Sequence, residues 1–138
     1  PASVYPLRQS VLRPEQPIES CHYPGDEAPE TVHLSGWSGQ ELLGIASVYR
    51  EASPKDSREH AWRLRGMATS ESARGTGVGG RLLQRCIEHT RACGGSLIWC
   101  NARVPARGVY ERHGFVALGE SFELPLIGPH IYMHLVLR

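Results

Sequence analysis

Apolar and polar residues alternate from Thr31 to Trp37 and again from Glu41 to Arg50, around Ser38-Gly39, a pattern that predicts two strands joined as a hairpin. A third alternating stretch runs from Trp62 to Thr69. It places Trp62, Leu64, Gly66 and Ala68 on one face and Arg63, Arg65, Met67 and Thr69 on the other. Helical spacing takes over at Leu82, Leu83, Cys86 and Ile87, predicting a helix over 78–93 that stops at Gly94-Gly95. The unbroken apolar run from Ser96 to Cys100 suits a strand covered on both faces. Pro105 fits a first helical turn and Gly114 follows a last one, so a short helix spans about 105–113, with Ala106, Val109, Tyr110 and His113 facing inward. Ile131 to Leu137 alternates as a final strand. Before the hairpin, Tyr5 to Arg13 reads as a short helix ended by Pro14, and Glu15 to Pro29 reads as loop.

Two features of this layout point to a ligand. Gly66 interrupts a strand, where a glycine weakens pairing unless the backbone bulges or a ligand approaches. Residues 74–80 then read R-G-T-G-V-G-G directly before the helix. Helix N-terminal N–H groups lack intrahelical partners and carry the positive end of the macrodipole, and glycine lets a phosphate reach the backbone. A P-loop is excluded, because it needs a Lys-Ser/Thr pair and the only lysine is Lys55. Gly75, Gly77 and Gly80 satisfy a dinucleotide G-x-G-x-x-G. The next strand, however, ends at Cys100 and Asn101 without the acid that would hold a ribose hydroxyl, and 58 residues after Gly80 are too few for the larger parallel sheet of that fold.

Arg74, Gly77 and Gly79 fit a third pattern, Q/R-x-x-G-x-G/A. Here the chain resembles the GNAT superfamily of N-acetyltransferases. The strand ending just before Arg74 is placed as that family's strand before its acyl-CoA loop. Val109 to Phe115, V-Y-E-R-H-G-F, is similar to the family's Y-E-x-x-G-F signature. The resemblance covers roughly residues 32–137. It implies an α/β (α+β) fold with a mixed central sheet of about six or seven strands, one pair splayed, flanked by helices. It also implies acetyl-CoA as co-substrate, bound by Met67, Ala68 and Thr69 of the strand, by Arg74, Gly75, Thr76, Gly77, Val78, Gly79 and Gly80 of the loop, and by Asn101 or Arg103. The family often has asparagine where Arg103 stands, seven residues before Tyr110. The family begins with a strand before its first helix, for which only Pro1 to Val4 remain.

The same resemblance implies direct acyl transfer to a primary amine of a small molecule or peptide. Tyr110 would be the general acid, and a strand N–H near Met67 would hold the oxyanion. The acceptor would lie between residues 21–30 and 120–134, which hold Asp26, Glu27, Glu30, Glu120, Glu123, His22, His130 and His134. Among these His130, at the start of the last strand, is the first candidate for the base. A non-catalytic acyl-CoA-binding domain of the same fold is the alternative.

Composition narrows the rest. A chain of 138 residues with 41% hydrophobic content predicts one domain over residues 1–138. Nine arginines between Arg63 and Arg112 stand against Glu71, Glu88 and Glu111, a local balance of +6 that leaves −5 elsewhere in a chain of net charge +1. An anionic cofactor suits the middle, and a cationic acceptor, drawn by Asp26, Glu27 and Glu30, suits the flanks. A pI near 8.2 with 7% aromatics does not suggest nucleic-acid binding. No membrane-length apolar run or basic leader is present, so a cytoplasmic protein without membrane partners is expected, with a homodimer left open. The four cysteines lack a disulfide spacing. Cys86, His89 and Cys93 could line one helix flank, but Cys86 continues the buried face and no fourth ligand follows, so no metal is expected.

Overall fold

A computed structural model describes residues 4–12, 18–125 and 127–137. Among the described residues seven strands form one sheet: β1 (Val32–Ser38), β2 (Glu41–Arg50), β3 (Ala61–Thr69), β4 (Leu97–Arg103), β5 (Val116–Ala117), β6 (Phe122–Leu124) and β7 (Gly128–Val136). Their order is β1-β2-β3-β4-β7-β5, with β6 on the other end of β7. The β3–β4 pair is parallel and the other described pairs are antiparallel. This is the mixed, helix-flanked sheet expected from the sequence.

Helix α1 is a single turn, Tyr5–Leu7, that widens into a π-helical segment, Arg8–Leu12. Pro1 to Ser3, where a first strand would have to begin, and Arg13 and Pro14, the expected helix stop, lie outside the described residues. The expected loop contains a 3-10 turn, Ile18–Cys21. Helix α2 (Val78–Ala92) packs Val78, Leu82, Leu83, Cys86 and Ile87 against one face of the sheet, joined there by α3 (Arg107–Arg112). Close approach of α2 to β2 requires Gly44, where a Cβ would lie 2.8 Å from both Leu82 and Val78. The opposite face carries α1, whose Tyr5 and Leu7 pack with Val4, Cys21, Ile45 and Ala68.

Strand alternation fails at Gly66, for a reason the pairing makes plain. Ser47 pairs with Arg65 and Ile45 with Ala68, so β3 spends three steps where β2 spends two. Gly66 absorbs the extra residue at φ +65°, a left-handed conformation that glycine adopts without steric cost. The bulge exchanges the faces. Ala68, expected beside Trp62 and Leu64, turns to the α1 side, and Met67 takes its place against the α2 core.

The last element also differs. β7 begins at Gly128 rather than Ile131, because Gly128, Pro129 and His130 pair with Leu124, Glu123 and Phe122 of β6. His130 is therefore inside a strand and not at its start. Likewise β4 continues to Arg103, so Asn101 and Arg103 are strand residues.

Candidate active site

The parallel pairing of β3 with β4 runs from Ala61↔Leu97 through Trp62↔Ile98 to Arg63↔Trp99 and goes no further. Both strands continue, β3 to Thr69 and β4 to Arg103, so a gap opens through the sheet beyond that rung. A cavity of about 150 Å³ occupies it. From the α2 side it is lined by Leu64, Met67, Cys100, Ala106 and Tyr110, and from the α1 side by Leu12, Tyr23, Arg65, Asn101, Arg103 and His130. The two sequence segments expected to flank an acceptor do converge here, through Tyr23 from one and Leu124, Ile127 and His130 from the other.

Tyr110 is buried on the inward side of α3, with its ring edge-on to Phe115 at 5.5 Å. Burial, and secondarily the Cys100 and Cys86 thiols, push its phenol well above its ordinary value, so the hydroxyl keeps its proton. His130 is also buried. Its Nδ1 donates to the Gly128 carbonyl at 2.8 Å, and its ring stacks on Phe122. In the neutral ring that leaves Nε2 as the basic nitrogen. Arg103 pairs directly with His130 across β4 and β7, and its Nη2 donates to the Leu12 carbonyl at 2.5 Å.

A second cavity, of about 430 Å³, lies beneath the glycine loop. Thr69, Arg74, Gly75, Gly77, Val78, Gly79 and Gly80 line it, together with Arg112 and His113. Gly75 and Gly77 have φ +81° and +86°, and Gly77 forms the N-cap of the 15-residue α2. A Cβ at Gly75 would meet nothing within 4 Å, leaving the backbone open to a ligand. Two guanidiniums beside a free helix N-terminus suit a phosphorylated group. Thr76 lines neither cavity and turns its hydroxyl back onto the Ala73 carbonyl. Ala68 also lines neither, its side chain lying in the α1 cluster.

The remaining acid–base candidates are elsewhere. Asp26 is buried in a bidentate pair with Arg8, Nη1 to Oδ2 at 2.8 Å and Nη2 to Oδ1 at 3.2 Å, and accepts further bonds from the Tyr49 hydroxyl and the Tyr23 N–H. It is not a carboxylate at an entrance. Glu27, Glu30, Glu120 and Glu123 are exposed, and His22 stacks on Tyr5. His134 bonds the Tyr132 hydroxyl at 2.9 Å, and its pKa is lowered, chiefly by burial. Of the helix-flank trio, Cys93 is exposed and contacts His89 at 3.5 Å, while Cys86 is buried in the core. Sequence reasoning missed Tyr23 and the buried Arg8. The alternation of β3 did carry a signal for Arg65, which it placed opposite Leu64.

Comparison with known proteins agrees with this geometry. The model of the acetyltransferase (GNAT) family matches residues 3–115. The uncharacterised N-acetyltransferase YitI of Bacillus subtilis is 39% identical over 134 residues, covering 97% of this chain and 90% of that one. Among solved structures, Escherichia coli ElaA superposes with a TM-score of 0.76 at 25% identity, over 96% of this chain and 87% of its own. A Bacillus subtilis acetyltransferase solved in complex with CoA shares the fold, with a TM-score of 0.71 at 18% identity over 100% and 93% of the two chains. With sequence match, sheet topology and splayed strands in agreement, the chain belongs to the GNAT family of acetyltransferases.

Proposed function

We propose that the protein transfers an acetyl group from acetyl-CoA to the primary amine of a small molecule or peptide, and that the transfer takes place in the gap between β3 and β4. One observation carries this reading. The gap connects the two faces of the sheet, with Tyr110 lining it from the α2 side and His130 from the α1 side. The glycine loop and its cavity lie on the α2 side, so donor and acceptor approach from opposite faces and meet at the gap.

Backbone N–H groups of Gly75 to Gly80, with Arg74, hold the pyrophosphate. Met67, next to the Gly66 bulge, lines the gap together with Asn101, and Thr69 lines the glycine-loop cavity. The Met67 N–H supports the oxygen of the carbonyl under attack. The donor supplies an activated thioester; the protein orients it and moves protons.

Magnitudes decide which proton matters more. An alkyl amine of pKa ~10.4 is about 0.1% neutral near pH 7.4, a cost of ~4 kcal/mol, whereas a thiol of pKa ~8.5 needs only ~1.5 kcal/mol of help to leave. Nε2 of His130 takes the amine proton, and Tyr110 protects and protonates the departing sulfur. A panel of amines assayed for free thiol release with acetyl-CoA tests this. Release that depends on a particular amine supports transfer; binding of acetyl-CoA without amine-dependent release from any of them supports a non-catalytic binding domain.

A further inference from the structure

Of the residues expected on the inward face of the helix over 105–113, Ala106, Val109 and Tyr110 pack on the core. His113, the C-cap of α3, instead lines the cavity beneath the glycine loop. Its ring is held in one orientation. Nδ1 donates to the Val109 carbonyl at 2.9 Å, which leaves Nε2 as the other ring nitrogen for the cavity. The ring edge meets α2 at Gly80, where an added Cβ would lie 3.4 Å from Cε1 and 3.8 Å from Nε2. The hydrogen-bond ladder of α2 begins with the Arg81 N–H on the Gly77 carbonyl, so Nε2 stands beside the last of the N–H groups, Val78 to Gly80, that precede it.

Phosphate oxygens only accept hydrogen bonds. A neutral ring with its proton on Nδ1 would meet them with a second acceptor, whereas a ring protonated at both nitrogens meets them with a charge-assisted donor. Because the Val109 carbonyl keeps the first proton on Nδ1, a change of tautomer would sacrifice that bond. A proton taken from solvent keeps it. The other charged groups at this cavity are Arg74 and Arg112, with Arg81 Nη1 3.6 Å from the Cβ position of Gly77, and guanidinium does not titrate near neutral pH. No aspartate or glutamate lines the cavity among the described residues, and Glu111, next to Arg112 in the chain, pairs with Arg107 at 3.3 Å.

We propose that His113 is a ligand of the donor's diphosphate, holding it as imidazolium through Nε2–H, so that binding of CoA near neutral pH takes up a proton. The proton comes from the buffer and returns to it when CoA leaves; no bond to phosphorus changes. Affinity for the donor therefore falls as pH rises. This rests on the seating of the diphosphate at the glycine loop and is independent of which amine accepts the acetyl group.

Calorimetry of CoA and of dephospho-CoA, each in two non-phosphate buffers of different ionisation enthalpy, reads the protons exchanged on binding. Dephospho-CoA lacks the phosphate monoester, whose own titration near pH 6 enters the CoA result. With dephospho-CoA at pH 7.5 the wild type should take up about 0.3 to 1 proton, and its affinity should weaken about 3- to 10-fold from pH 6.5 to pH 8. His113→Gln should abolish the uptake and bind about 10-fold more weakly than wild type at pH 6.5, whereas His113→Arg should bind tightly at both pH values without uptake. No uptake by the wild type, or uptake that persists in folded His113→Gln, would overturn the proposal. If His113→Gln does not fold, imidazole nitrogen shifts of the wild type decide: one histidine should become imidazolium as dephospho-CoA is added, and none doing so would overturn it. Failure of CoA itself to bind would overturn the donor site and this inference with it, while binding without proton uptake would overturn this inference alone.

Discussion

Arg8 stands directly against Gly66: a Cβ added to the glycine would lie 2.9 Å from the Nε of the arginine. Arg8 is fully buried, donates to Asp26, Ser47, Tyr49 and the Cys21 carbonyl, and lies 4.1 Å over Tyr23. Being held at so many points, it cannot move aside. The N-terminal segment thus props the β3 bulge that borders the gap, and fold and site share one contact.

Gly66→Ala should therefore be costly twice over, through its φ of +65° and through the clash with Arg8. A loss of about 2–4 kcal/mol is expected in urea denaturation. Gly75→Ala shares the positive φ but meets no neighbour, and should lose only about 1 kcal/mol. Equal costs at the two positions would show that Arg8 does not brace the bulge.

The Asp26 carboxyl predicts an acid dependence of stability. Burial alone would raise it, but hydrogen bonds from Arg8, Tyr49 and the Tyr23 N–H outweigh burial and hold it at about 2. A carboxyl depressed in the folded state stabilises fully above its unfolded value near 3.9, and that contribution is lost as pH falls through 2. Between pH 6 and pH 3 this group should account for about 1 kcal/mol of lost stability. Asp26→Asn should remove that share of the slope. At neutral pH it should cost about 3–5 kcal/mol by leaving Arg8 buried without its partner. Denaturation curves at both pH values, for both proteins, check the sign.

Tyr110→Phe keeps the ring against Phe115 and deletes only the hydroxyl. Turnover should fall by roughly 10²-fold, with acetyl-CoA affinity and melting temperature near wild type. Parallel losses of activity and stability would reduce Tyr110 to a packing residue.

At Gly79 a Cβ would meet Thr69 at 3.5 Å, an ordinary contact. Gly79→Asp should thus fold normally yet abolish binding of CoA, because it sets a negative charge where the helix N-terminus meets phosphate. Unchanged affinity in calorimetry would remove the loop from the binding site.

The glycine loop, the helix behind it and the inward-facing Tyr110 were legible in the sequence because local spacing determines them. Residues fixed by distant pairing were not. Arg8 is one arginine among many until Asp26 of the loop and Ser47 and Tyr49 of β2 close around it. Ala68 was assigned to the wrong face because a bulge shifts register through the partner strand, and one extra residue inverts everything after it. His130 was placed at a strand start because the alternation begins at Ile131, whereas pairing of residues 128–130 with β6 extends the strand. Asp26 was read as a recruiting surface acid, whereas the fold buries it in a pair with Arg8.

The most direct measurement is a crystal structure of the protein with CoA. Pyrophosphate is expected on the N–H groups of Gly75 to Gly80, the pantetheine arm in the gap beyond the Arg63–Trp99 rung, and the sulfur within hydrogen-bond reach of the Tyr110 hydroxyl. A sulfur lying outside the gap, remote from Tyr110, would contradict that placement.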